Sequence, residues 1–229
     1  MRLDKYVTYA GLTRSEAAAA IKAGRVTIDN IIVKNPAEKV TDESITIDGN
    51  LIDGSEYVYL LLNKPTGYVC EAGRGDSVFA LVPEKYSRRK LSVCGRLDKD
   101  TEGFLLITDD GDFVHRIISP VKHLKKTYLV RSANPLSESD IKKLEDGIVI
   151  DGNEKCKPCE CKRTYKANEY LLTITEGMYH QIKRMLIAVN NEVIYLKRIK
   201  TGGFPLPEGL KTGEILRLSD SDVLRIFAD

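Results

Sequence analysis

The sequence predicts an α+β protein in two parts: a small helix-helix-hairpin module over residues 1–50 and a larger domain over 58–229, joined by a linker at 51–57. Three observations carry this. The first 50 residues hold apolar side chains at helical spacing, followed by two β-branched runs. Turn-rich Asp48-Gly49-Asn50 and Asp53-Gly54-Ser55 come next, with little apolar content apart from Leu51 and Ile52. Beyond them, strands and helices mix without regular alternation or internal repeat, which favours α+β over a doubly wound parallel sheet.

In chain order, Leu3, Tyr6, Val7 and Ala10 share a helical face that Gly11 ends. Thr13-Arg14-Ser15-Glu16 has the order of a capping box, Ala17 to Ile21 are good helix formers, and Gly24 supplies a left-handed cap. Val26-Thr27-Ile28 and Ile31-Ile32-Val33 flank Asp29-Asn30, a pair that tolerates the positive φ of a two-residue hairpin turn. In the larger domain the strand candidates are 57–62, 103–108, 126–131, 170–175 and 193–200, with a further alternating stretch at 160–166. The helix candidates are 112–118, 137–144 before Gly147, 179–189 and 221–227.

Lys+Arg 35 against Asp+Glu 33 leaves a formal charge of +2, so any polyanion signal must come from where the charges sit. Hydrophobic residues at 42% exclude disorder and collagen-like structure. No run approaches the roughly 20 apolar residues of a membrane span, and the N-terminus lacks a secretory apolar stretch. Five cysteines without disulfide-scaffold density fit a reducing compartment, and a cytoplasmic protein is expected.

The first module carries seven basic residues (Arg2, Lys5, Arg14, Lys22, Arg25, Lys34, Lys39) and four acidic ones (Asp4, Glu16, Asp29, Glu38) between residues 2 and 39. Charge alone fits a solvated helical pair. Order adds more: Arg2 to Lys5, Arg14-Ser15 and Gly24-Arg25-Val26 resemble the S4 RNA-binding domain. That resemblance implies binding of structured RNA through the two helices, with Arg2, Lys5, Arg14, Lys22 and Arg25 as contacts.

The most informative stretch of the larger domain is Cys94-Gly95-Arg96-Leu97-Asp98-Lys99-Asp100-Thr101-Glu102-Gly103, a polar loop running into an apolar strand. A carboxylate there is aimed by rigid structure, and the neighbouring Arg96 and Lys99 favour an ionised carboxylate, as a nucleophile or base needs. By itself the loop reads as one held by surface ion pairs. A paired-carboxylate site with Asp100 is rejected, on the expectation that the Asp98 and Asp100 side chains face opposite sides. Thiol catalysis by Cys94 lacks a His-Asn or His-Asp set. Cys156-Lys157-Pro158-Cys159-Glu160-Cys161 offers one zinc half-site without a second, so no metal is expected.

Taken with Leu62-Asn63-Lys64-Pro65-Thr66-Gly67-Tyr68-Val69, Lys126-Thr127-Tyr128-Leu129-Val130 and Glu176-Gly177-Met178-Tyr179-His180-Gln181-Ile182-Lys183-Arg184-Met185, that loop resembles the RsuA-type pseudouridine synthases. With the S4-like module the resemblance spans essentially the whole chain. It implies a catalytic domain built on a mainly antiparallel mixed sheet, no cofactor, and conversion of a uridine in ribosomal RNA to pseudouridine. It also implies Asp98 as the nucleophile, Tyr128 packed on the uracil, Lys183 paired with Asp98 and Ile182 walling the base pocket.

Arg96 is expected to enter the space the base vacates or to hold its phosphate. On the helix near 179–189, Ile182, Met185, Leu186 and Val189 mark the core face, and Lys183 lies beside it. His180 reads as a solvated or structural histidine touching RNA at most. Lys85, Arg88, Arg89 and Lys90, then Lys122, Lys125 and Lys126, then Lys197, Arg198 and Lys200 read together as a phosphate-tracking rim of the cleft.

The last motif and the Ser119-Pro120 ending of the 112–120 segment are closer to small-subunit (16S) members than to large-subunit ones. Met178 stands where many members have a basic residue, and Lys183 where many have arginine, which loses bidentate geometry and keeps charge. The expected partner is 16S rRNA within a ribonucleoprotein particle, with no membrane and a monomeric protein. The alternatives are the same chemistry on 23S rRNA, or a noncatalytic RNA-binding assembly factor.

Overall fold

Helix capping and turn chemistry shape the N-terminal unit. A computed structural model describes residues 1–73, 75–119 and 124–228. Lys122 and Pro120, both used above, lie outside the described residues. Helix α1 (Leu3–Val7) passes through a 3₁₀ turn to Gly11 at φ +83°, and α2 (Arg14–Lys22) starts on the Thr13/Glu16 capping box. Gly24 N–H donates to Ile21 and Arg25 N–H to Ala20, a Schellman ending on a glycine at φ +75°.

Strands β1 (Val26–Ile28) and β2 (Ile31–Ile32) join through Asp29 and Asn30, both at positive φ as their turn demands. With β3 (Ile45–Ile47) and β4 (Asn50–Leu51) they form an antiparallel sheet in the order β2-β1-β3-β4. Leu3, Val7, Ala17, Ile21, Val26 and Ile45 fill its core.

Two segments behave differently from the sequence expectation. The 51–57 stretch is packed: Ile52 is buried in that core, and Arg89 donates to the carbonyls of Ser55 and Glu56. The donor comes from Val82–Leu91, which packs with the N-terminal unit although it lies within the larger domain's sequence. A Cβ on Gly11 would meet the Arg88 Cβ at 2.3 Å, so that approach requires glycine.

The second unit comprises Tyr59–Leu81 and Ser92–Asp229. In chain order it contains β5 (Tyr59–Lys64), β6 (Ser92–Cys94), β7 (Glu102–Thr108), α3 (Gly111–Ile118), β8 (Lys126–Ser132) and α4 (Glu138–Glu145). Then follow β9 (Val149–Ile150), β10 (Glu154–Lys155), β11 (Glu160–Arg163), β12 (Glu169–Ile174) and α5 (Gln181–Ile187). Strands β13 (Val193–Thr201), β14 (Phe204–Pro205) and β15 (Ile215–Arg217) and helix α6 (Asp220–Ile226) complete it.

The main sheet runs β11-β12-β8-β13-β7-β5-β15, with β6 on β7 and β14 on β13. Every pairing is antiparallel except β13 with β7. That mainly antiparallel α+β architecture is the one the sequence predicts. Strand β7 is buried on both faces along almost its whole length, which explains its near-continuous apolar run. Phe104, Leu106, Phe113, Ile117, Phe204 and Ile226 pack between sheet and helices. Among the described residues no helix is long and apolar enough to cross a membrane.

Candidate active site

Lys64, at the end of β5, is fully buried and, among the described residues, faces no carboxylate within bonding distance. Its ammonium donates to the carbonyls of Pro65 (3.1 Å), Asp98 (3.0 Å), Lys99 (3.3 Å) and Thr101 (2.9 Å). Four carbonyl dipoles satisfy the charge while burial lowers the lysine's pKa. The Asn63-Lys64-Pro65 motif thus pins the 98–101 loop from below. Cys70 adds a second tie, exchanging Sγ contacts of 3.4 Å with the Leu97 N–H and carbonyl.

The loop is not extended. Thr101 N–H donates to the Asp98 carbonyl across a turn, and this turn brings both carboxylates to Lys183. Lys183 Nζ lies 3.0 Å from Asp98 Oδ2 and 2.6 Å from Asp100 Oδ1. The expectation that Asp98 and Asp100 face opposite sides is therefore wrong: residues two apart share a face even on a strand, and here the turn also brings the two carboxylates to one cation. Burial raises the Asp100 carboxyl, but the Lys183 hydrogen bond and charge outweigh it and leave it below the ordinary value. Burial likewise lowers Lys183, and its two carboxylate partners more than reverse the shift.

Helix α5 is shorter than predicted and starts at Gln181. His180 occupies the N-cap position at φ +48°, ψ +32°, which breaks the helical run at its front. Gln181, buried, sews the preceding loop to the helix: its Oε1 accepts from Met178 N–H and its Nε2 donates to Glu176 Oε1 at 2.6 Å. Ile182, Met185 and Leu186 face the core as the spacing requires. Lys183 is carried on the adjoining face with its side chain 22% exposed. His180 Nε2 reaches to 3.5 Å from Asp98 Oδ1, a proximity that sequence reasoning missed; its position three residues before Lys183 was the available signal.

These groups line a cleft of about 500 Å³, within the ~300–1,000 Å³ of small-ligand sites. Tyr128 of β8, buried, and Ile182 line it with Asp98 and Lys183, so four of the residues singled out in the sequence converge. Arg96 is at the rim, its side chain 67% exposed and 3.5 Å from Glu71. Lys126, two residues before Tyr128 on the same strand, also lines the cleft, and burial together with the Arg198 charge lowers its pKa to about 8.

The expected basic rim is only partly formed. Arg198 is buried, donating to Phe104 O at 2.7 Å and Gly95 O at 3.0 Å, and so braces the loop before Asp98. Lys85, Arg88, Arg89 and Lys90 pack with the N-terminal unit, where Arg89 is spent on backbone carbonyls. Lys125 lies 3.7 Å from Glu160. Cys94 is buried with its thiol pushed up to about 12, far from the reactivity thiol catalysis needs. Burial also pushes Cys159 up to about 12 and Cys161 to about 11.

In the N-terminal unit, the buried Asp4 takes Arg2 at 2.8 Å and Arg14 at 3.4 Å, and the Arg2 hydrogen bond leads the effects that lower its carboxyl to about 2. Arg25 pairs with Asp48. Lys5 and Lys22 are exposed. All five basic residues predicted to touch RNA thus keep exposed side chains, three of them already oriented by a carboxylate.

A helix-helix-hairpin unit is followed by a mixed-sheet unit that gathers an aspartate, a tyrosine and a lysine in one cleft, and the family models place this pair of units in a class of RNA-modifying enzyme. The RNA pseudouridylate synthase family model matches residues 58–188 and the S4 domain model matches residues 1–45. The chain belongs to the RNA pseudouridylate synthase family and is a pseudouridine synthase with an S4 domain.

More narrowly, it is 42% identical over 231 residues to the uncharacterized RNA pseudouridine synthase YtzG of Bacillus subtilis, covering 97% of each chain. It is 40% identical over 237 residues to the ribosomal small subunit pseudouridine synthase A of Yersinia pestis, covering 100% of this chain and 99% of that one. A solved pseudouridylate synthase structure superposes with a TM-score of 0.70 at 38% identity, covering 99% of both chains.

Proposed function

We propose that this synthase isomerises one uridine of small-subunit (16S) ribosomal RNA within a ribonucleoprotein particle, acting as a cytoplasmic monomer with Asp98 as its nucleophile. Residues 1–50 bind RNA through Arg2, Lys5, Arg14, Lys22 and Arg25, and residues 58–229 carry the chemistry. The observation that carries this reading is the Asp98 carboxylate, 3.0 Å from Lys183 Nζ in the cleft that also holds Tyr128. The small-subunit assignment draws on the relatives of that name, at 40% identity in Yersinia pestis and 37% in Escherichia coli over nearly full length.

The atoms balance within the nucleoside. The N1–C1′ bond breaks, uracil turns, C1′ bonds to C5, the C5 proton leaves and N1 gains one, so no redox partner is required. Extruding the uridine from its stack costs a few kcal/mol, and stacking on Tyr128 returns about 1–3 kcal/mol. Ile182 closes the pocket wall. Arg96, once released from Glu71, takes the vacated space or the target's phosphate.

The test is incubation of wild-type and Asp98→Asn protein with unmodified small-subunit and large-subunit rRNA, with and without ribosomal proteins, followed by pseudouridine mapping. The expected result is one new small-subunit site made by the wild type alone. A large-subunit site would keep Asp98 and overturn the choice of RNA. Equal modification by Asp98→Asn would overturn the nucleophile, and no product on any substrate would favour an RNA-binding assembly factor.

A further inference from the structure

The backbone at His180 is one that glycine adopts without steric cost and a β-carbon does not, at φ +48° and ψ +32°. No hydrogen bond within residues 176–187 uses the imidazole to repay that strain. It makes no capping bond to α5, and the turn before the helix is closed by Gln181 instead. An imbalance of this kind at a cleft points from an observed outlier to function.

The side chain does two things. Its ring stacks on Tyr179 with centroids 3.8 Å apart and planes 18° apart, and the Tyr179 carbonyl is itself held by Arg184 at 3.0 Å. Its Nε2 stands 3.5 Å from Asp98 Oδ1, while Lys183 takes Asp98 Oδ2 at 3.0 Å. An aspartate's terminal torsion is broad, so a carboxylate held at one oxygen still swings. Donors three residues apart at the head of one helix approach both oxygens from different directions. At 3.5 Å the imidazole is poised and not yet bonded, as catalytic hydrogen bonds in ligand-free sites often are.

We propose that His180 is a positioning residue: braced by the Tyr179 ring, it sets the rotation of the Asp98 carboxylate against Lys183, so that the carboxylate meets the glycosidic centre in one orientation. This rests on the reading of Asp98 as the nucleophile. The structure itself offers the control, because His180→Gly keeps the backbone conformation and removes only the imidazole.

Single-turnover rates and RNA affinities are to be measured for His180→Gly, His180→Asn, Tyr179→Leu and the double variant, on whichever rRNA the wild type modifies, with Asp98→Asn in parallel. His180→Gly should slow the single-turnover step about 10–100-fold, with RNA affinity within about twofold of wild type and an unchanged or higher melting temperature. His180→Asn, which tolerates the left-handed backbone and supplies an N–H, should recover part of the rate. Tyr179→Leu should slow the same step, and the double variant should lose less than the two losses combined. A wild-type rate in His180→Gly, or a loss confined to RNA binding, overturns the proposal. Should Asp98→Asn be dead while His180→Gly is normal, only the role of His180 falls; should Asp98→Asn remain active, the aspartate assignment falls with it.

Discussion

Three lysines of the synthase unit sit in three settings, and the setting decides what each contributes. Lys64 is fully buried among carbonyls and acts as a structural pin. Lys183 is shared by two carboxylates that hold its charge in place. Lys126 lies half-buried in the cleft next to another cation, and its pKa falls from 10.5 to about 8. The folded state therefore carries an unfavourable ammonium below about pH 8, whereas the unfolded chain holds the proton up to about pH 10.5 without penalty. Lys126→Met should raise the melting temperature at pH 7, with the gap closing as the pH rises from about 8 to about 10.5. Thermal unfolding of both proteins across that range checks the sign; a gap that widened with pH would contradict it. The pairing of Lys183 with Asp98 is what the resemblance implies, whereas the settings of Lys64 and Lys126 are not legible in the sequence, where each is a lysine next to an apolar run. Burial and partners come from residues far away in the chain, such as Asp98 and Thr101 for Lys64.

Elements whose ends are fixed by local chemistry follow the sequence closely. The Thr13/Glu16 box, the Asp29-Asn30 turn and the Gly24 ending all depend on residues within a few positions of one another, and all form. The 98–101 turn is held by Lys64 from far away in the chain, and α5 begins late because His180 takes a left-handed backbone that no residue pattern announces; at both places the sequence misleads. Strand β7 shows the same contrast: its apolar run is plain, but its parallel pairing with β13 is not. That pairing is made possible by Gly103, at φ +100°, where a Cβ would fall 2.2 Å from the Arg198 carbonyl oxygen. Gly103→Ala should therefore cost roughly 2–4 kcal/mol, read as a lower urea midpoint. It should also slow turnover, since Arg198 braces Gly95 ahead of Asp98.

At the scale of the whole chain, the order of motifs carries more information than any one of them. The S4-like opening, Asn-Lys-Pro, Gly-Arg-Leu-Asp, Lys-Thr-Tyr and His-Gln-Ile-Lys-Arg-Met each have a bland reading, and their succession matches the family over essentially the full length. Charge placement was less legible, because Arg198 and Arg89 are consumed by carbonyls that no spacing reveals. With Arg2, Arg14 and Arg25 tied to carboxylates, the exposed Lys5 and Lys22 of the N-terminal unit provide a cleaner probe of RNA electrostatics. Replacing both with glutamine should flatten the plot of log affinity against log salt by roughly 1 for each lysine, and an unchanged slope would remove them from the interface. The excursion Val82–Leu91 has a separate consequence for heredity. The N-terminal unit is assembled from two stretches of the gene, so a single recombination event after codon 58 would transmit an incomplete module, with Gly11 deprived of Arg88 and the Ser55 and Glu56 carbonyls deprived of Arg89. Exchanging this unit for another therefore requires exchanging the excursion with it.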